Sequence, residues 1–375
     1  MQPGKLQPGE VVVDSIIRDD LNQFARMVWD TPEDISKSHP QGFEYIDLRG
    51  CLAGFEDIFG GSIEEKILVR DEYRIAAQEL QTARYHRGAY VTGQPGIGKS
   101  LFLVYLLVQL LRQGCKVAVH DSSHQYYVVF TFEELVAFYP LTYKTPLATG
   151  GSMWALSDSS LEHNGAPPAC FFASPKRIRL IQATSPEKQR WHEWSKQAKA
   201  ECYVMDIWTA QEIANFACVR PFSFRAKPKE MTSTLLDHDV QRMVDLEKKW
   251  GGVPRILMTY LQKSDQQIEN WYHHRAKVAI RKCQNMVQSI VDKSLSEGLE
   301  APSQFYFCRP ADYATSSIDR TEICATVPTH TICNILGRAL QELSIAIRLE
   351  FFTALSQLSD TRQAAGFIRQ ALWDH

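Results

Sequence analysis

Several features that would place a chain in a familiar class are missing here. Nine cysteines stand singly at positions 51, 115, 170, 202, 218, 283, 308, 324 and 333. No two make a Cys-x-x-Cys pair, and none joins a histidine at zinc-binding spacing, which argues against a zinc module. Reduced, buried thiols in a reducing compartment are the expectation. Charge of one sign is also missing: the net charge is −2, so the overall balance does not support a nucleic-acid partner. The most apolar run, Leu101–Leu111, is broken by Gln109. It reaches only about half of the ~20 residues a membrane-spanning helix needs, which points to a core helix and no membrane partner. The opening MQPGKLQPGEVVV has no basic start followed by an apolar stretch, so no signal peptide is expected. An intracellular location, cytoplasmic or nuclear, follows as the expectation. Internal repeats and low-complexity tracts are lacking too.

What remains is ordinary globular material: 375 residues, 45% hydrophobic and 22% charged, enough for two or three compact units. Pro3, Pro8, Pro32 and Pro40 punctuate residues 1–60, which read as an irregular N-terminal arm. Residues 61–222 read as an α/β core. A helix is expected over Ile63–Arg84. Strands follow at Ala89–Thr92, Val117–His120, Tyr126–Phe130, Met153–Leu156, Ile178–Ala183 and Cys202–Met205, with helices at Lys99–Gln113, Glu133–Phe138 and Trp191–Ala200. Such alternation predicts a parallel sheet covered on both faces, a three-layer arrangement. Thr209 with Glu212 three residues on is a capping-box pattern. Residues 223–300 read as a mainly helical lid, broken at Gly251-Gly252, and residues 301–375 as a C-terminal α+β connector.

The chemistry concentrates at Gly93–Ser100, which reads GQPGIGKS and matches G-x-x-x-x-G-K-[ST]. The spacing has a physical reason. Successive backbone N–H groups must curl round a phosphate, so glycine is needed where a Cβ would clash. The helix that follows directs its positive end at the phosphates. Lys99 neutralises the β/γ oxygens and Ser100 offers a hydroxyl to Mg²⁺. Gly93, Gln94, Pro95, Gly96, Ile97, Gly98, Lys99 and Ser100 thus form the expected ATP-binding loop, between the apolar strand AYVT and the apolar helix LFLVYLLVQLL.

A loop of this kind needs an aspartate at a strand end to hold the Mg²⁺ shell. Asp121 ends VAVHD and Asp158 ends MWALSD. In the additional-strand class of such ATPases one strand lies between the loop strand and the carboxylate strand, an order that favours Asp158 over Asp121. A glutamate often follows that aspartate to orient water. Here Ser159 follows, and Glu162 is the nearest substitute, which predicts slow hydrolysis. Ser185, with Thr184, sits at the tip of Ile178–Ala183 and could bond the attacking water or the γ-phosphate. Trp250-Gly-Gly-Val-Pro-Arg255 is a sharp helix break that could deliver Arg255 to a γ-phosphate. Arg70 in ILVRDEY is a further candidate near the base, against a surface salt-bridge reading. His274, Lys277 and Arg281 share one helix face, best read as solvated.

Taken in order, ILVRDEY, GQPGIGKSLFLVYLL, WALSDSS, IRLIQATSPEKQRWHEW, YVMDIWTAQEI and WGGVPR resemble the Crinkler effector-like proteins of fungi and oomycetes. They are also similar to the retrotransposon hot spot proteins of trypanosomes. The resemblance covers roughly residues 45–370. It implies a P-loop NTPase of the STAND/AAA-like kind, ATP at Gly93–Ser100, Mg²⁺ at Asp158 with Ser100, and a sensing role for Arg255. It also implies delivery to a host cell or nucleus. In that family a restriction-endonuclease-like domain follows the ATPase; here AAGFIRQALWDH resembles only its first helix. The expected function is an ATP-controlled switch with slow Mg²⁺-dependent hydrolysis. The alternatives are a non-hydrolysing nucleotide-binding module that holds a protein partner through its C-terminal helices, and a small-molecule kinase.

Overall fold

A computed structural model of the chain describes residues 9–59, 63–121, 125–132, 135–144, 152–159, 165–172, 177–186, 191–220, 233–276, 305, 307–313, 317–342, 345 and 348. Chain contacts divide it into two compact units. The first comprises Met1–Thr92, Gly98–Ser185 and Gln189–Tyr203. The second comprises Gly93–Ile97, Pro186–Lys188 and Val204–His375.

The first unit is built on a seven-stranded sheet in the order β10-β4-β9-β8-β5-β6-β7. Its strands are β4 (Ala89–Thr92), β5 (Val117–Asp121), β6 (Tyr126–Thr131), β7 (Leu135–Pro140), β8 (Met153–Asp158), β9 (Ile178–Ala183) and β10 (Glu201–Val204). Parallel pairing links β4 to β9, β9 to β8 and β8 to β5. The sheet is nevertheless mixed, because β5–β6 and β6–β7 pair antiparallel. The expected parallel sheet is therefore corrected at its β6–β7 end. Leu135–Pro140 is the cause: its run of Leu, Val, Phe and Tyr suits a pleated surface better than the helix expected over Glu133–Phe138.

Successive strand residues face opposite sides, and both sides are buried. On one, Tyr90, Ala155 and Leu180 join Phe171 of α6 (Ala169–Phe172) and Trp194 of α7 (His192–Ala198) in a single apolar cluster. On the other, Phe130 meets Phe24 of α1 (Ser15–Asp30), which in turn meets Phe55 of α3 (Leu52–Phe59). The indole N–H of Trp29 on α1 donates to the carbonyl of Leu111 on α5 (Lys99–Arg112) at 3.0 Å.

Residues 15–59 thus correct the irregular arm expected over 1–60. Asp14 caps α1 by accepting from the Ile16 amide at 2.8 Å. The short helix α2 (Pro32–Ile35) follows α1, and β1 (Ser36–Ser38), β2 (Glu44–Asp47) and β3 (Lys66–Leu68) form a small antiparallel sheet. Pro32 opens α2 and Pro40 falls in a turn, where their fixed φ is tolerated, while Pro3 and Pro8 lie outside the described residues. The helix expected from Ile63 begins only at Asp71, as α4 (Asp71–Leu80), because Lys66–Leu68 is taken up by the small sheet. At the β7 edge, the Val11 amide donates to the Phe138 carbonyl at 2.9 Å. Glu10 accepts from the Phe138 amide at 3.3 Å and Asn22 from the Val136 amide at 3.1 Å.

In the second unit, α8 (Ala210–Val219) opens on the full capping box expected at Thr209 and Glu212. Helices α9 (Ser233–Trp250), α10 (Pro254–Tyr260) and α11 (265–276) follow. Trp250 stacks on Tyr272, ring centroids 4.4 Å apart, in their core. The strands β11 (Phe307–Tyr313) and β12 (Ser317–Thr326) form an antiparallel pair with a register shift at Pro310/Ala311, and α12 (His330–Gln341) closes the described part.

Candidate functional site

Four consecutive buried residues make up β4, and the chain leaves its C-terminal end directly into Gly93–Ser100. Backbone φ is +134° at Gly93, +87° at Gly96 and +91° at Gly98, a conformation that L side chains rarely adopt. Gly98 is the N-cap residue of α5 and supplies no side-chain cap. No side chain caps the first turn of α5, the arrangement of an anion-binding helix start. Lys99 and Ser100 open that helix, both half-buried.

Within the first unit, the hydroxyl of Tyr73 on α4 donates to the Gly98 carbonyl at 2.7 Å. The Tyr73 ring, fully buried, packs beside Phe102 and Tyr105 of α5. Sequence reasoning missed this residue; its position three after Arg70, on the buried face of a helix, was the available signal. Arg70 itself is 1% exposed, with its guanidinium 5.4 Å from the Tyr73 ring centre. That corrects the surface salt-bridge reading of Arg70.

Asp158, half-buried, ends β8. It lies in register with Asp121 of β5 on one side and Ala183 of β9 on the other. One strand, β9, separates β8 from β4, and two separate β5 from β4. Thr184 and Ser185 follow β9; Thr184 is 2% exposed, and the hydroxyls of both are buried without a partner among the described residues. Glu162, Lys277 and Arg281 lie outside the described residues.

Within the second unit the loop is gripped by four groups. A Cβ on Gly93 would come 2.5 Å from the Met205 carbonyl oxygen, and one on Gly96 would come 2.7 Å from Cβ of Arg255. Arg255, exposed near the start of α10, therefore lies over Gly96. The indole N–H of Trp208, 3% exposed, donates to the Ile97 carbonyl at 2.7 Å. Its backbone amide donates to the Gly252 carbonyl at 2.9 Å. Gly252 is forced by the same contact, since a Cβ there would sit 1.9 Å from the Trp208 oxygen. The buried side chain of Gln94 accepts from the Cys308 amide of β11 at 3.0 Å. Arg309, next along β11, pairs in bidentate fashion with Asp206 at 2.7 and 2.8 Å. Trp208, Asp206, Cys308 and Arg309 are further residues that spacing alone did not reveal. His274 is exposed on α11.

Chemically, these residues offer curled amides, an ammonium and a hydroxyl at Gly93–Ser100, and a carboxylate at a strand tip. That is a donor set for a polyphosphate and a hard divalent cation. Among the described residues no group of three or more His, Cys, Asp or Glu is arranged to hold a metal by itself, and no helix is long and apolar enough to cross a membrane.

No protein-family model matches the chain. Curated proteins similar to it include Crinkler effector protein 15 and Crinkler effector protein 16 of Phytophthora infestans, each 24% identical over 184 residues. The match takes in 48% of this chain and only 29% of each relative's length. Among solved structures, AMPPCP-bound DnaA from Aquifex aeolicus is similar with a TM-score of 0.29 and 9% identity, covering 85% of this chain and 98% of that one.

Proposed function

We propose that the chain is an ATP-binding switch of the P-loop NTPase type, in the additional-strand class, with slow Mg²⁺-dependent hydrolysis. The observation that carries this reading is the loop itself. Gly93–Ser100 leaves the end of a sheet strand, with left-handed glycines at 93, 96 and 98, and runs into a helix whose start has no side-chain cap. In this reading the amides of Gly93–Gly98 and the Lys99 ammonium hold the β- and γ-phosphates. Ser100 and Asp158 hold Mg²⁺, which supplies charge neutralisation when bound. Asp158 is favoured over Asp121 because a single strand separates its own from β4. Ser185 and Glu162 serve the water side, and Arg255, lying on Gly96, links loop to lid.

Residues 61–222 then form the nucleotide-binding core, 223–300 the lid and 301–375 the connector. The extension to an effector of the Crinkler kind, delivered to a host cell, is supported by the identity to the two Phytophthora proteins. Phosphate release and binding of a fluorescent ATP analogue by the full chain test the reading. Lys99→Ala should weaken transition-state binding by about 2–4 kcal/mol. Undiminished analogue binding by that variant would refute the site. A second reading, binding without turnover, draws on Ser159, which stands where a water-orienting carboxylate is wanted. Tight binding with no phosphate release would select it.

A further inference from the structure

One face of the first unit's sheet changes character along its length. Its lower part is apolar, with Ala118, Ala155 and Leu180 in one cluster. Near the C-terminal ends of the strands the same face turns polar over two rungs. The first rung, set by the pairings Tyr90↔Gln182, Ser157↔Gln182 and His120↔Ser157, brings Gln182, Ser157 and His120 side by side. The second follows two residues on. The Thr184 amide donates to the Val91 carbonyl at 2.9 Å and the Ser159 amide to the Ala183 carbonyl at 3.1 Å. Those bonds align Thr92, Thr184 and Ser159 at the tips of β4, β9 and β8.

Gln182 is satisfied: its amide donates to the Gly165 carbonyl, and it accepts the Trp194 indole N–H at 2.5 Å. The hydroxyls are not. Thr92, Ser157 and Thr184 are 0%, 1% and 2% exposed, and their oxygens, with that of Ser159, are buried and meet no donor or acceptor among the described residues. Buried hydroxyls in folded proteins are nearly always bonded, and one left unmade is costly. Four on one short patch of sheet are a built polar surface. A hydroxyl both donates and accepts and carries no charge, and four of them with no carboxylate among them suit water better than a metal ion. By strand alternation, Asp158 projects to the opposite face from Ser157 and Ser159.

We propose that Thr92, Ser157, Ser159 and Thr184 line a chamber of ordered water that supplies and orients the attacking water, in place of the carboxylate that Ser159 replaces. The proposal rests on the ATPase reading for its catalytic half only. In the reaction, the oxygen of that water bonds to the γ-phosphorus as the bond to the β–γ bridging oxygen breaks. ADP leaves with the electron pair, and the proton passes to the phosphate product or to bulk water.

The test joins a crystal structure of the full chain, at a resolution that shows ordered water, with kinetics of Thr184→Val, Ser157→Ala and Thr184→Ser. Water within about 3 Å of at least two of the four oxygens is expected in the native chain. Thr184→Val should lower kcat on the order of 100-fold, with fluorescent-analogue affinity within about twofold of native, and Thr184→Ser should restore most of the loss. A dry patch, or an unchanged kcat in Thr184→Val, overturns the proposal. So does a native chain that binds ATP and releases no phosphate. If Lys99→Ala still binds the analogue, the nucleotide site fails while the water finding stands or falls on the crystal structure.

Discussion

Trp208→Phe is the perturbation that bears most directly on how the loop is held. The indole N–H meets the Ile97 carbonyl at 2.7 Å, and Trp208 is 3% exposed. Phenylalanine keeps most of the ring but removes the donor, leaving a buried carbonyl without that partner. Leaving a buried acceptor unpaired costs about 1–3 kcal/mol. The Trp208 backbone bond to Gly252 survives the change, so the lesion is confined to the loop side. Thermal unfolding of the full chain should report a lowered midpoint, at about 2–4 °C per kcal/mol for a unit of this size. If the bond also sets the phosphate-binding geometry of the loop, affinity for a fluorescent ATP analogue falls as well. The same energy corresponds to at most about 5- to 150-fold, since 1.4 kcal/mol is tenfold. Trp208→Phe with native melting and native affinity would refute the argument that this indole holds the loop.

Tyr73→Phe removes the 2.7 Å bond to the Gly98 carbonyl while keeping the ring against Phe102. A loss of about 1 kcal/mol in analogue binding or in stability is expected, read by titration and melting. The thiols of Cys51 and Cys170 are pushed up by burial, to about 12 and about 11. A thiol reagent at pH 8 should therefore leave both unmodified in the native chain and label them after denaturation, as mass spectrometry of the labelled peptides would show. Asp265 is held below the ordinary carboxylate value by hydrogen bonds from Lys249 and Arg242. Its folded pKa is lowered, so its contribution is complete above about pH 4 and is lost as the pH falls through the folded value. Asp265→Asn should thus lower the melting temperature slightly at pH 7, and the difference should shrink as the pH falls below about 4.

Much of the fold could be read from local pattern. The strand ends Ile178–Ala183 and the capping box at Thr209 are set by the chain's own chemistry, apolar patterning in one case and a side chain answering a backbone amide in the other. The failures come from tertiary and strand pairing that helical periodicity does not report. Lys66–Leu68 and the opening 15–59 segment owe their form to partners elsewhere along the chain, β2 and Phe130, and Leu135–Pro140 to hairpin pairing with β6. A helical period around Ile67 and Leu68 was visible, yet pairing with Tyr45 and Ile46 overrode it. The site divides in the same way. Glycine spacing and the lysine were legible because their geometry is local to one turn. Trp208, Cys308 and Tyr73 were not, because each bonds the loop from 25 to 214 residues away.

The outer rim of the large sheet has a consequence of its own. A free strand margin invites pairing with another molecule. Along β7, groups that would otherwise stay open are taken by Glu10, Val11 and Asn22, and Arg18 ties Glu10 in place at 2.6 Å. The leading segment therefore acts as a bumper as well as a core element. A version of the chain starting at residue 31 would bare a flank rich in Val, Phe and Tyr, and should stick to its own copies on concentration, whatever becomes of its affinity for nucleotide.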